Sequence, residues 1–159
     1  MKKSLFVLIL LINNIGLSFV YEMETHAKRN IIKSIPISLN KKYIIFTLEG
    51  TWSDNLGNYG LMEQASTLIL QDNNVIELDG YGKQIYQNKE ETYFRGFRNK
   101  QEKDAGVGQT IITNTTDVLK ALVGTKCTYA VKFFTDTAYV LSKCKISEQQ
   151  KNILINLSR

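Results

Sequence analysis

The stretch Lys126–Lys145, KCTYAVKFFTDTAYVLSKCK, constrains this chain more than any other. Apolar and polar residues alternate on both sides of Thr135-Asp136, the pattern of two half-buried strands folded back on each other. A two-residue loop at Thr135-Asp136 sets Phe134 beside Thr137, and counting outward brings Cys127 opposite Cys144. The same register pairs Phe133 with Ala138, Val131 with Val140 and Tyr129 with Ser142 on the cysteine face. The opposite face carries Lys126, Thr128, Lys132, Lys143 and Lys145 together with Phe134, Tyr139 and Leu141. Thiol position and side-chain pattern are separate signals, and they give one register. A Cys127–Cys144 disulfide is therefore predicted, at a non-hydrogen-bonded pair where Cα atoms approach closest. A three-residue loop would break that register, and Thr-Asp is not the favoured Asn-Gly, so the turn type stays open. There is no C-x-x-C spacing and no accompanying histidine, which sets aside a metal site or a reactive dithiol.

At the other end, Met1-Lys2-Lys3 followed by the apolar run Leu5–Ile12 has the layout of a secretory signal peptide. Asn13 and Asn14 interrupt the run, leaving it short for a membrane span, so no stable span is expected once the leader is removed. Small residues close both Gly16-Leu17-Ser18 and Thr25-His26-Ala27. The expected organisation is a leader over 1–18, ending by 27 at the latest, then a barrel domain over 28–146 and a helical tail over 147–159. Export, to the periplasm or beyond the cell, makes the compartment oxidising and suits the cysteine pair. The mature length allows one domain with a real core. The net charge of +5 includes Lys2 and Lys3, and the remainder is spread without a basic run, so nucleic acid is not an expected partner.

Between these ends the chain reads as strands. Residues Tyr21–Asn40 are mostly polar and hold the only proline, Pro36, so at most a short edge segment is expected over Ile35–Leu39. Tyr43–Trp52 is a clear strand: Ile44, Phe46, Leu48 and Trp52 share one face, with Tyr43, Ile45, Thr47, Glu49 and Thr51 on the other. SDNLGNYG at Ser53–Gly60 follows as a dense turn signal. Further strands are predicted over Ser66–Leu70, Val75–Asp79, Gln84–Asn88, Thr92–Asn99 and Gly106–Thr113, punctuated at Asn73-Asn74, Gly80–Gly82 and Glu102–Asp104. Turns at about ten-residue intervals suit a sandwich or barrel. Thr116–Val123 has the composition of one or two helical turns stopped by Gly124. Ser147 and Gln150 have capping-box spacing ahead of Ile153, Leu154 and Leu157, which predicts a short C-terminal helix on the outside of the sheet. An open sheet of this size would leave bare edges. The fold class is therefore all-β: a single small antiparallel β-barrel of about eight strands with a short C-terminal helix.

Two motifs resemble known families. Gly50-Thr51-Trp52 is similar to the G-x-W signature of calycin barrels, the lipocalins and avidins, and GTWSDNLGN at Gly50–Asn58 resembles the avidin form. That resemblance places Asp54 and Asn58 where avidins have polar ligand contacts. Avidins wall in biotin with several tryptophans, and Trp52 is the only one here, so the likeness extends to the barrel and not to biotin. Gly106–Gly124 is similar to segments of allene-oxide-cyclase and dirigent-type barrels. Both resemblances imply a closed antiparallel barrel.

Few residues can carry chemistry. His26 is the only histidine, so no Ser-His-Asp, Cys-His or multi-histidine metal site can be assembled, and no cofactor or catalytic residue is expected. Gly106-Val107-Gly108 has no following helix to make a phosphate loop and reads as a strand bend. Arg95 is ambiguous: in TYFRGFRN, Tyr93 and Phe97 share its face, while Phe94 and Gly96 share the face of Arg98. If the Tyr93 face points inward, Arg95 is a buried cation suited to an anionic head group; otherwise it is an ordinary surface arginine.

Three functions fit. The first is non-catalytic binding of a small, partly apolar ligand inside the barrel, with Trp52, Asp54, Asn58, Tyr93, Arg95 and Tyr129 as candidate contacts; it predicts a cavity on the order of hundreds of Å³. The second is a filled barrel that binds an envelope protein through an apolar exterior patch. The third is a cyclase or isomerase with a carboxylate, Glu63 or Glu77, inside its cavity.

Overall fold

A computed structural model describes residues 18–157, with the backbone alone at 100–102. Eight antiparallel strands close into a barrel in chain order: β1 Phe19–Ser38, β2 Lys41–Asp54, β3 Tyr59–Gln71, β4 Asn74–Tyr86, β5 Glu91–Glu102, β6 Ala105–Thr115, β7 Lys126–Phe134 and β8 Thr137–Ile146. Pairing of β1 with β8 completes the ring. A 3-10 helix at Asp117–Leu122 links β6 to β7, and helix α1, Glu148–Leu157, follows β8. The all-β barrel read from the sequence is the observed fold. The expected leader, apart from Ser18, lies outside the described residues.

The β7–β8 hairpin has the register derived above. Cys127 pairs with Cys144 at a Cα separation of 4.2 Å, and the two are joined as a disulfide. Thr135, the first loop residue, takes φ 55, a backbone region unusual for a β-branched side chain. The bridge closes a loop with a sequence separation of 17. Changing both cysteines to serine is expected to lower stability by about 3 kcal/mol, read as a lower urea midpoint. An unchanged midpoint would show that the bridge adds nothing to the fold.

Two expectations are corrected. Tyr21–Asn40 is not irregular: it forms most of β1, a 20-residue strand, and the barrel therefore starts at Phe19, ahead of residue 28. Tyr21, Met23, Thr25 and Ala27 point inward and are buried, while Glu24, His26 and Lys28 stand exposed between them. Pro36 is tolerated because this part of β1 lies at a free edge, beside register shifts at 31/33 and 36/38. Nor is Gly80–Gly82 a turn, since it lies inside β4. A Cβ on Gly80 would stand 2.1 Å from Ser66 Oγ, and one on Gly82 would stand 2.5 Å from the Glu63 carbonyl. These glycines let β3 and its side chains approach closely rather than reverse the chain.

The two barrel ends differ. At the floor, α1 lies across the turns rather than along the outside of the sheet. Gln150 donates to the Ala121 carbonyl (2.8 Å), Asn58 to the Leu154 carbonyl (3.1 Å) and Gln87 to the Leu157 carbonyl (3.0 Å). Its start is the predicted capping box: Gln150 N–H donates to Ser147 Oγ, and Ser147 N–H to Gln150 Oε1. Leu119, Leu122, Ile146 and Leu154 seal the space beneath. At the mouth the wall is uneven. Pairing of β1 with β8 stops at Lys28–Thr137, and pairing of β5 with β6 stops at Phe97–Gln109. Beyond these points β1 pairs only with β2, and β5 only with β4, so the β1–β5 wall stands taller than the β6–β8 wall.

Candidate binding site in the barrel interior

Trp52, Asp54 and Asn58 come together at the floor, bound to one another's surroundings. Gly50 allows this: a Cβ there would stand 2.0 Å from the His26 carbonyl oxygen, so only glycine lets β1 pass so close. Two residues on, the buried Trp52 ring meets Tyr86 edge-on at 4.7 Å, and its Nε1–H donates to the Leu61 carbonyl at 3.0 Å. Asp54 receives four hydrogen bonds: Leu56 N–H (2.9 Å) and Asn58 N–H (2.8 Å) on Oδ1, the Tyr21 hydroxyl (2.7 Å) and Asn58 Nδ2 (2.9 Å) on Oδ2. Gln87 donates to Asn58 Oδ1 at 2.9 Å. Asn58, 1 % exposed, therefore has both amide ends occupied within the protein. Burial pushes the Tyr21 hydroxyl well above its usual pKa, with Tyr86 and Asp54 adding to the rise. In this arrangement the G-x-W stretch serves as a plug and a tie for α1.

Above the plug lies a partly open cavity of about 90 Å³. Met23, Leu48, Met62, Phe94 and Ile112 give it an apolar lining, with Thr25, Gln64, Gln84, Thr110, Tyr129 and Ser142 as polar points. A water needs roughly 10–15 Å³ of such space, whereas drug-sized ligands occupy ~300–1,000 Å³. The interior is thus largely filled, smaller than the hundreds of Å³ expected. Tyr129 lines the cavity, and burial pushes its hydroxyl pKa up to about 12 with Arg98 acting in the opposite sense. Glu63 and Glu77 stand exposed on outer faces, and no carboxylate among the described residues lines the cavity.

The structure resolves the two arginines of β5 in favour of Arg98. Arg95 and Tyr93 stand on the outer face. Arg95 makes a two-point ion pair with Asp79 (Nε 2.9 Å, NH2 2.7 Å) and lies near the Tyr81 and Phe97 rings. The arginine's hydrogen bonds hold the Asp79 carboxyl below its usual pKa. Tyr93 donates its hydroxyl to Glu91. Arg98, three residues on, points inward beside Phe94 and Gly96 and is 3 % exposed. Its NH2 donates to the Lys103 carbonyl at 3.1 Å, while Nε and NH1 have no hydrogen-bond partner among the described residues. Burial lowers the Arg98 pKa, with Tyr129 and Asp104 opposing the shift. Arginine keeps its charge even so. Arg98 borders both the central cavity and a smaller recess toward the mouth, lined by Arg29, Ile31, Leu68 and Phe133.

Sequence reasoning weighed Arg95 and passed over Arg98. A pairing of Asp79 with Arg95 would have marked the outer face, but it needs the β4–β5 register, which was hidden by reading Gly80–Gly82 as a turn. Among the described residues, no group of histidines, cysteines and carboxylates is placed to hold a metal, and no helix is long and apolar enough to cross a membrane. Compared with protein families, with curated proteins and with solved structures, the chain matches none.

Proposed function

We propose that this barrel binds a small, partly apolar carboxylate without transforming it. The observation that carries the reading is Arg98: a buried guanidinium with two donor atoms that have no partner among the described residues, at the wall of an apolar cavity. Leaving a buried cation half-satisfied is unfavourable, and a carboxylate is the acceptor of matching charge. Around it stand neutral hydroxyls and amides, the setting of a binding pocket rather than of an acid–base pair. The cavity's size selects a short apolar tail. Met23 and Met62, unbranched and adaptable, line it and can yield to a longer one. The G-x-W plug and eight-strand closure agree with a calycin-like ancestry, and the disulfide agrees with work in an oxidising compartment outside the cytosol.

The test is calorimetric titration of straight-chain carboxylates against alcohols of equal length, with native mass spectrometry for any molecule that co-purifies. Acids are expected to bind and alcohols to bind at least about tenfold more weakly. Arg98→Met is expected to lose acid binding by about 10- to 100-fold while remaining folded, because a long apolar side chain suits that desolvated site. Equal affinity for acid and alcohol, or no binding of either, overturns the reading.

A further inference from the structure

The hairpin that rises highest at the mouth is unlike the rest of the surface. Every residue from Asn30 to Asn40 is exposed. They include Ile31 (58 %), Ile32 (62 %), Ile35 and Ile37, with Leu39 fully exposed at the apex of the β1–β2 turn. Soluble monomers rarely gather so many large aliphatic side chains on one projection. From Asn30 to Tyr43 the chain also carries Lys33, Lys41 and Lys42 and no aspartate or glutamate. Two neighbouring turns bring an aspartate alongside: Asp72, which accepts a hydrogen bond from Asn40, and Asp136, whose backbone carbonyl accepts from Arg29 N–H. Phe134, 80 % exposed at the β7–β8 tip, adds a further apolar group on the low side of the mouth.

Two kinds of occupant fit poorly. An added strand would need a regular row of backbone donors along β1, and Pro36 with two register shifts breaks that row. A second copy meeting hairpin to hairpin would set three lysines against three, with no acid in either hairpin and Asp72 of the adjoining turn too few to balance them. The combination of aliphatic apex and basic shoulders complements a surface that is apolar below and negative above.

We propose that the β1–β2 hairpin docks on an anionic lipid bilayer. Leu39 and Ile37 at the tip enter the acyl boundary, Lys41 and Lys42, level with Ser38 and Pro36, reach back to the phosphates, and Lys33 follows further along the hairpin. The docked hairpin brings the recess beside Arg98 to the lipid surface, but the docking stands on the hairpin alone and does not depend on a ligand.

The experiment is co-sedimentation of the intact mature protein with phosphatidylcholine vesicles, with and without phosphatidylglycerol. Pelleting is expected only with the anionic vesicles and is expected to weaken as salt rises. Exchanging Lys33, Lys41 and Lys42 together for serine is expected to weaken partition about a hundredfold, roughly fivefold for each lysine. Leu39→Asp is expected to abolish binding with an unchanged thermal midpoint, because the side chain touches no core. Absence of binding to anionic vesicles, equal binding to both compositions, or binding that survives both variants overturns the proposal. So does a concentration-dependent dimer that Leu39→Asp dissolves while vesicle binding is absent.

Discussion

Trp52→Ala is expected to lower stability by about 4 kcal/mol, moving the thermal midpoint down by roughly 12 °C. The ring is 2 % exposed and fills the space between the floor and the cavity, edge-on to Tyr86. Alanine would leave a void that the surrounding strands cannot collapse, because their backbones are fixed by pairing on both sides. Trp52→Phe separates the plug from a ligand wall: it keeps one ring and loses the Nε1–H bond to Leu61 and part of the indole volume, at a cost of about 2 kcal/mol. If the ring instead formed part of the ligand site, Trp52→Phe would weaken carboxylate binding with little change in melting. Differential scanning calorimetry beside titration distinguishes the two.

Asp54→Ala is expected to cost about 3–4 kcal/mol, because one half-buried carboxylate satisfies four donors, among them the buried Tyr21 hydroxyl and Asn58 amide. Its loss strands the Tyr21 hydroxyl and loosens Asn58, which in turn holds the Leu154 carbonyl of α1. The expected signature is therefore regional. Amide hydrogen exchange should rise first in α1 and in the β2–β3 turn, while β7 and β8 keep their protection. Asp54→Asn retains the shape but turns an acceptor into a donor, so about half the loss is expected. A melt unchanged by Asp54→Ala would remove the tie between the turn and the helix.

What could be read from the residues divides by mechanism. The β7–β8 hairpin was legible because a period of two and a pair of thiols must satisfy one register at once. The capping box was legible because Ser147 and Gln150 act over three residues with no outside partner. Strand β1 was missed although its signal was present: Tyr21, Met23, Thr25 and Ala27 alternate with Glu22, Glu24, His26 and Lys28. Short or polar inward residues such as Thr25 and Ala27 dilute the apolar count that marks a strand, and only closure with β8 buries them. Gly80 and Gly82 misled for a related reason, since the need for close approach comes from Ser66, Gln64 and Phe94, which lie on other strands. The inward position of Tyr129 was legible from its own hairpin. Arg98 needed the position of a neighbouring strand, which the alternation within TYFRGFRN cannot supply.

The seam between β1 and β8 sets Tyr21 beside Cys144, joining the two ends of the folded chain. Every other pairing links neighbours in sequence and can form while synthesis proceeds at ~5–20 residues per second. The seam cannot. Closure therefore waits on the strand farthest along the chain, and any truncation that removes β8 leaves an open sheet with two bare rims.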